Sequence, residues 1–134
     1  MSERRAPRIL VVDDSEAGLL LVSSVLSVAG FLVDTAGSSK EVLEQLKARR
    51  PDLILMDVQL PGQDGLALTR QLKADPATAQ IPIVALTAHA MPTDRDLALA
   101  AGCNGYISKP IDTRNLPDQV RAVLLEEPSP VSAG

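Results

Sequence analysis

Apolar residues fall into two kinds of run that alternate along the chain. Ile9–Val12 is short and unbroken, and it stops at Asp13-Asp14. Leu53–Met56 stops at Asp57, and Ile83–Leu86 stops at Thr87. Tyr106-Ile107 comes just before Ser108-Lys109-Pro110, and Phe31–Val33 is a fifth, weaker run. Short unbroken apolar runs bounded by turn signals predict strands buried on both faces, as in a parallel sheet. Between them the spacing is helical. Ser15–Ala29 carries Gly18, Val22, Val25, Leu26 and Ala29 on one stripe, and Gly30 is placed to end that helix. Ser38 or Ser39 caps a helix bearing Val42, Leu43 and Leu46 that ends before Pro51. Asp64 caps a helix bearing Leu66, Leu68 and Leu72 that ends at Asp75-Pro76. Asp94–Ala101, closed by Gly102, predicts a fourth helix, and Leu116–Leu125 a fifth. Proline is tolerated only in the first turn, so Pro117 predicts a late start or an irregular opening turn there.

Five strands, each followed by a helix, define an α/β domain of (βα)5 type. The alternation calls for a parallel sheet with helices on both faces and right-handed crossovers. The flavodoxin-like, doubly wound order 2-1-3-4-5 is the usual five-strand solution. With 134 residues, the chain has room for one ordinary domain. Its expected limits are an extension at 1–7, the domain at 8–126 and a loose tail at 127–134, which is polar and carries prolines.

Composition removes several functional classes. The chain has one Phe, one Tyr and no Trp, so it lacks the aromatic platform that single-stranded nucleic acid stacks on. A net charge of −4 opposes a phosphate-backbone footprint, and no nucleic acid is expected as a partner. One cysteine, Cys103, and one histidine, His89, exclude an internal disulfide and a Cys/His metal centre. Cys103 is expected to be a small buried filler. No apolar run reaches the roughly 18 residues of a membrane span. The charged opening MSERRAPR is not a secretory signal, so cytoplasm is the default compartment.

The polar residues that end the strands carry the chemistry. In an open parallel sheet the functional crevice lies beyond the carboxyl ends of the strands. Asp13, Asp14, Asp57, Thr87 and Lys109 all fall there. Like charges 4 Å apart repel by about 4 kcal/mol at an effective dielectric near 20. Protons or a hard cation must relieve this. Oxygen ligands without His or Cys point to Mg²⁺, which keeps waters and accepts a phosphoryl oxygen. Lys109 is a point-like phosphate binder and Thr87 offers a hydroxyl. Gly62 and Gly65 give the loop after Asp57 freedom to shape itself around a ligand. Together these are the parts of a phosphoryl-transfer site with a carboxylate nucleophile, and Asp57, at the end of a central strand, is the candidate.

ILVVDDSE, PDLILMDVQLPGQDG, IPIVALTAHA and GYISKPI, in this order, resemble the receiver domain of bacterial response regulators, over about residues 8–126. The stretch from Ile81 to Ile111 looks particularly like standalone regulators of cell polarity and development, and like receivers of hybrid kinases. The resemblance implies that Asp57 accepts a phosphoryl group from a phosphohistidine on a kinase or phosphotransfer protein. It implies that Asp14 ligates Mg²⁺ directly, Asp13 through water and Gln59 through its carbonyl. Thr87 and Lys109 would hold the phosphoryl group, Lys109–Pro110 would be cis, and Tyr106 would be the aromatic that turns inward when Thr87 moves. Output would pass through the face around residues 88–110 to a downstream protein. The protein is then a self-catalysing phosphoacceptor and not an enzyme, a monomer or a weak phosphorylation-dependent dimer. Gln59 and His89 depart from the common pattern at positions that govern loss of the phosphoryl group. Leu20 lies opposite the apolar stripe of its helix, and the resemblance makes it a docking residue for the kinase. With no recognisable output domain following, a standalone receiver is expected; a receiver detached from a hybrid kinase is the alternative.

Two other classes fit less well. An aspartate-nucleophile phosphatase needs a second acid two residues past the nucleophile, where this chain has Gln59. A flavodoxin needs a Ser/Thr/Gly-rich phosphate loop after the first strand, where this chain has Asp13-Asp14-Ser15-Glu16.

Overall fold

A computed structural model describes residues 6–60, 63–87, 92–109 and 111–125. The elements run β1 (Arg8–Val12), α1 (Glu16–Val28), β2 (Leu32–Ala36), α2 (Ser39–Ala48), β3 (Leu53–Asp57), α3 (Gly65–Ala74), β4 (Ile83–Thr87), α4 (Pro92–Ala101), β5 (Gly105–Ser108) and α5 (Leu116–Leu125). A two-residue antiparallel ladder, Gln59–Leu60 against Gln63–Asp64, sits between β3 and α3. All five long strands are parallel, in the order β2-β1-β3-β4-β5. This is the doubly wound order the alternation predicts.

Period-two side-chain direction divides each unbroken apolar run between two cores. Ile9, Val11, Leu53, Leu55, Val84 and Leu86 pack with Val22 and Leu26 of α1 and Leu116 and Val120 of α5. Leu10, Val12, Ile54, Met56, Ile83 and Ala85 pack on the opposite face with Val42 of α2, Leu68 and Leu72 of α3 and Ala98 of α4. Two buried faces explain why β1, β3 and β4 read as continuous rather than alternating runs.

Four local expectations need revision, and one of the two openings expected for the last helix is found. The second strand is Leu32–Ala36, not Phe31–Val33. Pairing with β1, from Arg8↔Leu32 to Val12↔Ala36, sets its length, and Phe31 is buried just before it. As an edge strand it tolerates Asp34, which accepts from Arg8 Nη1 at 2.9 Å. Leu43 is 37% exposed and stays outside the core, whereas Val42 is buried in it and Leu46 packs against it. α4 starts at Pro92 rather than Asp94. Gly65 opens α3 and does not loosen a loop, as described below. α5 opens on an irregular turn and does not start late: Asp112 O accepts from Asn115 N and Leu116 N at 3.1 and 3.0 Å. Pro117 then falls where an N–H would have no helical partner.

Serine caps fix two helix starts. Ser15 Oγ accepts from Gly18 N at 3.1 Å. Ser38 Oγ accepts from Glu41 N while Gly37 N donates to Glu41 Oε1 at 2.7 Å, a near-reciprocal cap. Lys73 ties the far end of the sheet together. Its Nζ donates to Ile81 O at 2.8 Å and to Asn104 Oδ1 at 3.2 Å, and the same Asn104 oxygen accepts from Ile83 N. Burial holds the Lys73 pKa below its ordinary value. This link sets β4 and β5 side by side, and therefore sets Thr87 beside the residue that follows Ser108.

Candidate functional site

Register alone brings the polar strand ends together. Val12 is level with Met56, Asp57 with Leu86, and Thr87 with Ser108. Asp13, Asp57, Thr87 and Lys109 therefore emerge on one rim. Ligand oxygens of Asp13, Asp14 and Asp57 all lie within 4.8 Å of one another. Asp13, Asp57 and Thr87 are buried, whereas Asp14 is exposed. The pocket thus has two inward carboxylates and one facing solvent.

Lys109 is the counter-charge. Its Nζ donates to Asp57 Oδ2 at 3.2 Å and lies 3.6 Å from Asp13 Oδ2. The backbone fixes its root, since Lys109 N donates to Thr87 O at 2.7 Å. Burial alone would lower the Lys109 pKa, but the Asp57 and Asp13 carboxylates outweigh it and hold the ammonium above its ordinary 10.5. A base whose pKa is raised by folding stabilises the fold below its unfolded pKa and loses that contribution as pH rises through the folded one. In chelator, the lead in denaturation midpoint of wild type over Lys109→Met should therefore hold at neutral pH and shrink above about pH 10.5. Urea titrations of both proteins across that range check this; a lead that grew with pH would contradict the pairing.

Asp13 is held from below. Its N–H donates to Ala36 O at 3.1 Å, and its Oδ1 accepts from Ser15 N at 3.0 Å. Gly65 packs on the other acid. A side chain at Gly65 would place its Cβ 2.1 Å from Asp57 O and 2.8 Å from Val58 Cα. Gly65 N also donates to Val58 O at 2.9 Å. Here glycine serves close approach of α3 to the end of β3, not loop freedom. Sequence reasoning missed this, although a glycine at a predicted helix start was the available signal.

Tyr106 is half-buried on β5, against the core, with the Arg95 guanidinium carbon 6.0 Å from its ring centroid. Arg95 gave no sequence signal, because only the packing of α4 across β5 brings it there. Leu20 is 68% exposed, and Leu21 beside it is 48% exposed. Cys103 is buried; burial pushes its thiol pKa up, which makes it a poor nucleophile, although a hydrogen bond with Thr69 and the Lys73 charge oppose the shift. His89, Pro110, the Gln59 side chain and the Asp64 capping group lie outside the described residues, as does the opening of the 88–110 face, residues 88–91. No helix among the described residues is long and apolar enough to cross a membrane.

A doubly wound sheet whose strand ends bring three acids and one lysine to a common rim defines a class of α/β domain with an all-oxygen acidic site beside a single cation. Comparison narrows the class. The family model for the response regulator receiver domain matches residues 9–121. The phosphate regulon transcriptional regulatory protein PhoB of Rhizobium meliloti is 40% identical over 118 residues, which are 88% of this chain and 52% of that protein. The polar-differentiation response regulator DivK of Brucella anthropi is 35% identical over 116 residues, covering 87% of this chain and 94% of that one. Among solved structures, the receiver domain of sensor histidine kinase PA1611 from Pseudomonas aeruginosa matches with a TM-score of 0.80 at 31% identity, over 90% of this chain and 98% of that one. That structure holds a magnesium ion in its active-site cleft. The chain belongs to the response regulator receiver family. It spans about half the length of PhoB and nearly all of DivK. As a receiver it is a signalling domain and not a conventional enzyme.

Proposed function

We propose that residues 8–126 form a phosphoacceptor receiver in which Asp57 takes the phosphoryl group from a phosphohistidine on a histidine kinase or phosphotransfer protein. One observation carries the reading: Asp57, buried at the end of the central strand, shares a pocket with two further carboxylates within 4.8 Å and a lysine at 3.2 Å. In the transfer the Asp57 O–P bond forms as the P–N bond breaks, and its electron pair returns to the imidazole nitrogen. The donor set fits magnesium. It is all oxygen, with Asp14 open to solvent where waters and a phosphoryl oxygen can enter. Asp13, Asp14 and Asp57, with the Gln59 carbonyl, would hold the ion, which when bound neutralises the acids and polarises the phosphoryl oxygens. Magnesium in the cleft of the PA1611 receiver supports this.

This chain's own groups do the rest. Lys109 faces Asp57 before transfer and is placed to follow the charge onto the phosphoryl oxygens. Thr87, buried at the neighbouring strand end, supplies a hydroxyl. Movement of Thr87 leaves space for Tyr106 to turn inward, which breaks its contact with Arg95 and alters the face around residues 88–110. Such a population shift from 1:99 to 99:1 takes about 5.5 kcal/mol of differential stabilisation. The altered face would select a downstream protein, in a monomer or a weak phosphorylation-dependent dimer.

Phosphotransfer from a histidine kinase, followed by localisation of the acyl phosphate, tests the reading. Donor docking has its own test at Leu20. Because the side chain is exposed, Leu20→Glu should change stability by less than about 0.5 kcal/mol. The rate from a kinase should fall about tenfold, equivalent to 1.4 kcal/mol. The rate from a small-molecule phosphoryl donor should not change. Parallel rate measurements with the two donors decide it; equal losses with both would place Leu20 in the fold and not in docking.

A further inference from the structure

We propose that Gly18, in the first turns of α1, is a positioning residue for Asp13 in the magnesium site; this rests on the functional reading above. α1 has no turn or left-handed backbone at Gly18 that calls for glycine, since the only glycines with positive φ among the described residues are Gly30 and Gly102. Glycine weakens a helix interior relative to alanine. What the position needs is space. A Cβ on Gly18 would lie 2.8 Å from Asp13 Oδ2 and 3.4 Å from its Cγ. The Asp13 carboxylate therefore rests against the bare backbone of α1.

Its two oxygens have separate restraints. Oδ1 accepts from Ser15 N at 3.0 Å, which pins one side of the carboxylate. Oδ2 lies 3.6 Å from Lys109 Nζ, on the side where the Gly18 side chain would be. Ser15 ties both features together, because its Oγ accepts from Gly18 N at 3.1 Å. A methyl group at position 18 has one easy way to be accommodated. The Asp13 carboxylate must turn about its own side-chain bonds, which shifts Oδ2 and strains the Ser15 hydrogen bond to Oδ1, because a side-chain end yields and the helix backbone does not. The fold loses little by this, whereas the acidic pocket loses the placement of one of its three carboxylates.

Gly18→Ala should therefore separate metal binding from stability. Mg²⁺ titration followed by backbone amide NMR should show the variant binding about tenfold more weakly, the scale on which supports of metal ligands act. Its metal-free thermal midpoint should stay the same or rise, in line with helix propensity. In an Asp13→Ala background no carboxylate remains to be displaced, so Gly18→Ala should change affinity by less than about twofold. Affinity within about twofold of wild type in the single variant would overturn the proposal. So would an equal loss in the Asp13→Ala background, or a metal-free midpoint that falls with the affinity, which marks a packing role alone. Wild-type protein with no Mg²⁺-dependent shifts would overturn the functional reading itself, and this proposal with it.

Discussion

Asp57→Asn is expected to abolish phosphoryl incorporation from both a histidine kinase and a small-molecule donor, to below about a thousandth of the wild-type rate. The carboxamide has no anionic oxygen to attack phosphorus, and no other group in the pocket replaces it. Asp13 is pinned by Ser15 N and approached by Lys109, and Asp14 stands outside the buried pair. The variant should still fold, because a neutral side chain in a cluster of three carboxylates relieves repulsion while it gives up the Lys109 ion pair. Mg²⁺ affinity should fall as well, since one of three anionic ligands is gone. The check is label incorporation with sensitivity to hydroxylamine, which cleaves acyl phosphates, alongside circular dichroism to confirm folding. Full incorporation in the variant, or label on another residue of the wild type, would remove Asp57 from the mechanism.

Gly65→Ala should produce the largest loss of stability, about 3 kcal/mol, seen as a fall in thermal midpoint on the order of 10 °C. The added methyl group would meet Asp57 O and Val58 Cα at 2.1 and 2.8 Å. Both obstacles are backbone, so no side-chain rotation relieves them, and either α3 or the end of β3 must move. The Gly65 N to Val58 O hydrogen bond would stretch with it. Because the displaced strand end carries Asp57, phosphoacceptance by the folded fraction should also drop. The contrast with Gly18 is physical: there the obstacle is the end of a side chain, and the fold gives way without cost to its backbone. Thermal melts of the two variants side by side should show opposite behaviour. A Gly65→Ala protein as stable as wild type would mean that α3 has room to retreat.

Much of this site could be read from order along the chain. Asp13, Asp57 and Thr87 each follow or end an apolar run, and parallel strands of similar length deliver their carboxyl ends to one rim. The edge strand was harder to read. β2 is an edge strand, mostly half-buried or exposed, with an Asp34 held by Arg8, so its residues carry no unbroken apolar signature, and its limits come from pairing with β1. Leu43 misled for a related reason: spacing places it near the stripe, but the width of that stripe depends on how α2 lies on the sheet.

The sequence by itself determined the alternation of strands and helices, the doubly wound class and the acids, threonine and lysine that end the strands. Those properties depend on period and chain order, which are local. Only the tertiary structure decided which contacts give them meaning. Lys109 pairs with Asp57 and Asp13 across strand ends, Arg95 meets Tyr106 from α4, and Gly18 and Gly65 make room for the backbone and side chains of the two buried acids. Each joins elements by a distance that no periodicity encodes, because close approach is set by how whole helices settle on the sheet.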